Sequence, residues 1–127
     1  MSPVTVLARR TATTVALAAA AALVGCAQPA KPPLYVWGAY QGQVYEHLRA
    51  EGGNPLDQYA VLSAQLQQTV SSGGRVPPGL HAHLGLLQLK LGKPDEAFAH
   101  FESEKKLFPE SAAYVDWLMK RSKTGGK

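Results

Sequence analysis

Covalent and metal links that often stabilise small domains are missing from this sequence. Its 127 residues include a single cysteine, Cys26, so no disulfide can form within the chain. No His-x-x-x-His or Cys-x-x-Cys spacing occurs, and a helix would place His81 and His83, two residues apart, on different faces. We therefore expect no metal and no cofactor, and a fold that depends on packing.

Catalytic signatures are missing as well. No serine or cysteine stands in a recognisable nucleophile elbow, and no glycine-rich loop follows a strand-like segment. Asp95, Glu96, Glu102 and Glu104 lie near Lys105 and Lys106, and this mixture predicts a solvated helix face. The sequence therefore favours a protein that is not an enzyme, with a cell-wall-acting enzyme as one alternative.

The N-terminal apolar run is too short to span a membrane. Residues 11–24 carry no charge, but a run of about 14 residues falls short of the roughly 20 that a spanning helix needs. The run follows Arg9 and Arg10 and ends in Leu-Val-Gly before Cys26. This arrangement is typical of a bacterial lipoprotein signal peptide that comprises residues 1–25. We expect the signal peptide to be removed and the protein to be anchored by lipid on the Cys26 thiol, with palmitate among the acyl chains.

Little net charge remains after that predicted cleavage. The whole chain has 13 basic and 9 acidic residues, and the loss of Arg9 and Arg10 leaves 11 against 9, a net charge of +2. Nucleic acid is therefore not indicated as a partner. Ala27 follows the cysteine where an aspartate would retain a lipoprotein at the inner membrane, so we expect anchoring to the outer membrane, with the domain facing the periplasm.

The chain after the cysteine predicts a small all-α domain. Residues 26–33 are rich in proline and predict a lipidated tether, residues 34–122 the domain, and residues 123–127 a disordered tail. No segment shows the sustained alternation of a half-buried strand. Apolar spacings of three and four predict about five helices in antiparallel pairs.

Capping residues and apolar stripes place these helices. The first begins near Tyr40 with Trp37, Tyr40, Val44 and Leu48 on one face, which favours a core position for the aromatic pair, with a partner interface as the alternative. The second begins at Asn54 and Pro55. The stripe of the second helix is Leu56, Tyr59, Ala60, Ser63, Leu66 and Val70, with Gln65 facing water. Six leucines between positions 80 and 91 predict a third helix covered on more than one side. Pro94 opens the fourth helix and Ser111 caps the fifth.

The third and fourth helices resemble a tetratricopeptide repeat. The matching residues are Leu84, Gly85, Gly92, Ala97, Phe101 and Pro109, and the departures are His81, Gln88 and Glu104. In that family the first helix of each repeat lines a concave groove. The resemblance therefore implies a partner-binding groove whose residues are Ala82, Leu86, Leu89 and Lys90. An ordinary helical hairpin with the same leucines is the alternative.

The chain also resembles a family of short bacterial lipoproteins that is catalogued as a domain of unknown function. The resemblance is carried by residues 34–40, 76–85 and 104–111. It implies an outer-membrane lipoprotein encoded beside a curli-secretion-channel-like lipoprotein, which makes such a protein a candidate partner. We therefore expect a lipid-anchored adaptor that binds another envelope protein, or alternatively a pilotin-like helper that delivers an outer-membrane channel subunit.

Overall fold

Five α-helices and one 3₁₀ turn form the part of the chain that this computed structural model describes, residues 30–49 and 52–125. They are α1 (Tyr40–Leu48), α2 (Pro55–Ser71), α3 (Leu80–Lys90), α4 (Pro94–Leu107), the 3₁₀ turn (Pro109–Ser111) and α5 (Ala112–Thr124). These residues contain no β-strand, which confirms the predicted all-α class. No described helix is both long and apolar enough to cross a membrane.

Parts of the predicted domain organisation fall on other residues. The predicted signal peptide (residues 1–25), the predicted lipidation site Cys26 and the predicted tether up to residue 29 lie outside the described residues. At the other end, α5 continues through Thr124, past residue 122, where the sequence predicts the end of the domain.

The boundaries of α2, α3 and α4 follow the capping signals of the sequence. The Asn54 side chain accepts a hydrogen bond from the Leu56 N–H (3.0 Å), and Pro55 is the first residue of α2. Gly92 follows α3 with a φ of 73°, in the left-handed region that glycine adopts without strain, and Pro94 then opens α4. These predicted helix ends are confirmed.

The prediction that Ser111 caps α5 is wrong. Its hydroxyl donates to the Phe108 carbonyl (2.7 Å), and no side chain caps the first turn of α5. The 3₁₀ turn leads directly into the helix, so Ser111 closes that turn and does not bond the helical N–H groups.

The helix α3 contributes to both clusters of the core. The first cluster, which α2 shares, contains Leu62, Leu80, Leu84 and Leu87, with Tyr40, Tyr59, Leu66 and Val76 packed against it. The second, which α4 and α5 share, contains Ala97, Phe101 and Val115, with Leu86, Leu89, Phe98, Leu118 and Met119 packed against it. This arrangement confirms that the leucine-rich helix is covered on more than one side.

The helix α2 is rotated from the orientation that its apolar residues predict. Its buried residues are Gln58, Leu62 and Thr69. Leu56 and Val70, which were predicted to face the core, are 58% and 61% exposed. The Gln58 amide donates to the Gly52 carbonyl (3.1 Å), and this hydrogen bond allows a polar side chain to be buried beside the turn before α2.

Residues 34–39, which we call the strap, precede α1 and are held by a side chain of α2. The Gln65 amide oxygen accepts a hydrogen bond from the Ala39 N–H (2.8 Å), and the amide nitrogen donates to the Trp37 carbonyl (2.8 Å). The prediction that Gln65 only faces water is therefore wrong. Its amide donates one hydrogen bond to the strap backbone and accepts another from it, and so helps to satisfy polar groups that lie outside the helices.

The aromatic pair at the start of α1 is anchored in the core through Tyr40. Tyr40 packs against the first core cluster, and the half-buried Trp37 ring stacks on it with centroids 6.2 Å apart and planes at 8°. Leu48, predicted on the same stripe, is 76% exposed. The core face of α1 therefore ends before its last turn.

Candidate functional site

The four residues predicted to line a groove do not form an open surface. Ala82 is 8% exposed, and Leu86 and Leu89 pack against the second core cluster. Lys90 is exposed at the end of α3. Leu86 and Leu89 are partly buried on the side of α3 that residues of α4 and α5 cover, and the groove stays a prediction.

A buried carboxylate connects α4 to the first turn of α3. Glu104 is 2% exposed, and its two oxygens accept hydrogen bonds from the Gly79 N–H (2.6 Å) and the Ala82 N–H (3.3 Å). These N–H groups belong to the helix end where the dipole favours negative charge. The prediction that Glu104 lies on a solvated face is therefore wrong. Its side chain belongs to α4 but caps the N-terminus of α3.

Burial and hydrogen bonding act in opposite directions on this carboxyl group. Desolvation raises the pKa of Glu104, and the backbone hydrogen bonds from Gly79, Ala82 and His81 partly offset that rise. Burial also raises the pKa of Tyr40 to about 12, with a further contribution from the negative charge of Glu104. Tyr40 is therefore a neutral phenol at neutral pH. Of the two groups at the junction of α1, α3 and α4, only the Glu104 carboxyl group can carry a charge.

The four histidines form two pairs, each of which links α3 to another helix. The Nδ1 atoms of His81 and His100 are 3.1 Å apart across α3 and α4. The rings of His47 and His83 are 4.7 Å apart, edge to face, across α1 and α3. One Nδ1 of the first pair must accept a hydrogen bond, so at least one of those two imidazoles is neutral.

Burial lowers the pKa of every histidine in these pairs. It brings the pKa of His81 to about 4, with His100 contributing, and the pKa of His83 to about 4, with His47 and Lys90 contributing. Burial is also the largest cause of the lowered pKa values of His47 and His100. Across the described ranges, no group of three His, Cys, Asp or Glu side chains is placed to hold a metal ion.

A cleft lies between the strap, the loop from α2 to α3 and the end of α4. We call it the strap cleft. Its volume is about 390 Å³, and its apolar lining consists of Tyr35, Val70, Val76, Leu107 and Phe108. Arg75 and His81 supply the polar lining. This volume falls within the range of roughly 300–1,000 Å³ that small-ligand sites occupy.

The strap forms one wall of this cleft through specific contacts. The Val36 N–H donates to the Arg75 carbonyl (2.9 Å), which joins the strap to the loop. The Tyr35 ring packs edge to face on Phe108, with centroids 6.1 Å apart. The Arg75 guanidinium lies 5.6 Å from the centroid of the Tyr35 ring, within cation–π distance.

A second surface feature is an aromatic stack on the outer side of α5. Tyr114 and Trp117 are 56% and 51% exposed, with ring centroids 6.1 Å apart and planes at 21°. The Arg121 guanidinium lies 5.3 Å from the centroid of the Trp117 ring. We call these three residues the α5 face. The opposite side of the helix carries Val115, which is fully buried in the second core cluster.

Comparison with known proteins gives a match to one family. The family model described as a domain of unknown function, DUF4810, matches residues 34–118. No significant match was found among curated proteins or among solved structures. The matched range starts with the strap and contains the whole lining of the strap cleft, so both belong to the domain that the family shares.

Proposed function

The chain belongs to the DUF4810 family, and we propose that it is a lipid-anchored adaptor that binds another protein of the bacterial envelope through the α5 face. The anchor in this proposal is lipid on Cys26 after removal of residues 1–25, at the outer membrane and facing the periplasm. The sequence pattern before Cys26 supports the anchor. A channel-like envelope lipoprotein is the first candidate partner.

A tetratricopeptide-like hairpin is the scaffold in this proposal, and the packing of α3 on α4 supports it. A Cβ atom added at Gly85 would lie 2.5 Å from a ring carbon of Phe101, so the two helices approach at a position that needs glycine. Ala97 and Phe101 are both fully buried at this contact. In stacked repeats each hairpin is covered by the next one, and among the described residues α5 takes that covering position on the α3–α4 hairpin.

The α5 face is the observation that carries the adaptor proposal. Tyrosine, tryptophan and arginine are the residue types most enriched at the energetic centres of protein interfaces. Here the three types stand together on α5: the Tyr114 and Trp117 rings are stacked and about half exposed, and the Arg121 guanidinium lies over the Trp117 ring. Both rings are more than half exposed, which leaves apolar surface on which a partner helix can pack.

Copurification from the native envelope tests this proposal. The lipidated protein is crosslinked briefly, purified in mild detergent, and its companions are identified by mass spectrometry. We expect one stoichiometric envelope protein with the wild type, and its loss with the double variant Tyr114→Ala, Trp117→Ala. The matched control is Tyr45→Ala, since Tyr45 is 65% exposed and lies under the Arg49 guanidinium as Trp117 lies under that of Arg121. Recovery of the protein alone, or equal yield from the double variant, would contradict the proposal.

A further inference from the structure

From the strap cleft we infer that the protein binds the carboxyl-terminal residue of a peptide chain, where that residue is bulky and apolar. The inference concerns a different surface from the α5 face, so it goes beyond the adaptor proposal and can fail independently. It rests on three observations: an apolar cleft of limited size, a cation at its rim, and exposed apolar side chains around its opening.

The cation at the rim is Arg75, which has no anionic partner within residues 30–49 and 52–125. No carboxylate of the described residues forms an ion pair with Arg75, whereas Arg49 pairs with Glu46 at 3.3 Å. The Arg75 guanidinium is oriented by the Tyr35 ring and remains exposed. A guanidinium presents donors in a planar fork that matches a carboxylate, so the fitting counter-charge is a carboxylate brought by the ligand.

The remaining lining is suited to an apolar side chain. Apart from Arg75, the polar side chain in the lining is His81, and burial together with the neighbouring His100 keeps its imidazole neutral at neutral pH. Tyr35, Val76 and Phe108 present apolar surface to the cleft. The ligand therefore needs an apolar group next to its negative charge.

The size of the cleft and its rim favour a peptide end over a long acyl chain. A volume of about 390 Å³ lies near the lower limit of small-ligand sites. Val70 and Leu107, 61% and 50% exposed, extend the apolar surface outward from the cleft. A peptide end places its last side chain inside, its terminal carboxylate at Arg75 and its preceding residues on this rim. Capture of a terminal carboxylate is an established mode of peptide recognition.

Fluorescence anisotropy with labelled hexapeptides tests the inference on the full-length protein in detergent. The peptides differ only in the last residue, and each is made with a free carboxyl terminus and as the terminal amide. We expect the peptides ending in phenylalanine, leucine or isoleucine to bind at least tenfold more tightly as free acids than as amides. Arg75→Gln should abolish that difference, and Leu107→Glu, which adds a negative charge at the rim, should weaken every free acid.

The matched control is Arg49→Gln, because Arg49 is also an exposed arginine over a tyrosine ring (5.7 Å) but lies outside the cleft. It should leave binding unchanged, and circular dichroism should show that all variants keep their helix content. The inference is overturned if no peptide binds at millimolar concentration, if acids and amides bind alike, or if dodecanoic acid binds in the cleft while the peptides do not. Each result is separate from the copurification, which depends on the α5 face.

Discussion

Glu104 is the residue that most directly couples two helices, because its carboxylate on α4 accepts from backbone N–H groups at the start of α3. We expect Glu104→Ala to lower the free energy of unfolding by about 1–3 kcal/mol, since one buried and one partly buried N–H group lose their acceptor. Urea denaturation measures this change. The control is Glu102→Ala, where the side chain is 59% exposed and pairs only with Lys105 on this helix, and it should change stability by less than about 1 kcal/mol. Equal effects of the two substitutions would refute the capping role.

Gly85 permits a close approach of α3 and α4. A methyl group there would meet the Phe101 ring at 2.5 Å and the Ala97 carbonyl at 3.0 Å. We expect Gly85→Ala to destabilise the domain by about 1–3 kcal/mol through overpacking, despite the better helix propensity of alanine. Gly42→Ala in α1 is the control, because nothing lies within 4 Å of the added methyl group. It should stabilise the protein by up to about 1 kcal/mol. Thermal melts of both variants measure these two changes in stability.

At the scale of the element, α3 is covered on the side where a groove was predicted. Leu86 and Leu89 are partly buried against the second core cluster, so two glutamates there place charges against apolar side chains without partners. We expect Leu86→Glu with Leu89→Glu to abolish the cooperative unfolding transition. Lys90→Glu, at an exposed position on the same helix, is the control and should keep the transition. A double variant that stays folded and loses only partner binding would support the predicted groove.

The histidine pairs make the attachment of α3 to α1 and α4 sensitive to acid. The pKa values of His81 and His83 fall from 6.5 to about 4 on folding. Between these pH values the unfolded chain binds protons that the folded protein excludes, so the free energy of unfolding falls as the pH decreases through this window. Glu104 has the opposite sign, because its pKa is raised above 4.5 and its contribution is lost as the pH rises.

Denaturation curves between pH 7.5 and 4.5 check this pH dependence. Four histidines have a lowered pKa and act against the single raised pKa of Glu104, so we expect a net loss of stability toward pH 4.5. A variant with His81→Gln and His83→Gln should show a shallower dependence. If the wild type is as stable at pH 4.5 as at pH 7.5, the proposed burial of neutral histidines is wrong.

Helix positions were predictable from the sequence, but the orientation of α2 was not. The start of α2 at Asn54 and Pro55 and the end of α3 at Gly92 depend on local backbone chemistry that a few residues encode. The rotation of α2 depends on distant partners, because Gln58 and Gln65 are held by the backbone of the turn before α2 and of the strap. Hydrophobic periodicity assigns glutamine to the surface and contains no information about such partners.

At the scale of the whole molecule, the strap cleft could not be predicted from the sequence, because three separate segments form it: the strap, the loop from α2 to α3 and the end of α4. Arg75 did carry a signal, since it is the only lysine or arginine between Arg49 and Lys90 and follows two glycines. Its stacking on Tyr35 requires the strap to return to the loop between α2 and α3. The exposure and stacking of Tyr114 and Trp117 emerged only with the folded helix.

Site-specific photo-crosslinking in living cells tests the adaptor account most directly. A photo-reactive phenylalanine analogue replaces Trp117 on the α5 face, and in a parallel strain it replaces the exposed Tyr45 on α1. The account predicts one defined crosslinked envelope protein from position 117 and none from position 45. No adduct at position 117, or the same set of adducts at both positions, would contradict it.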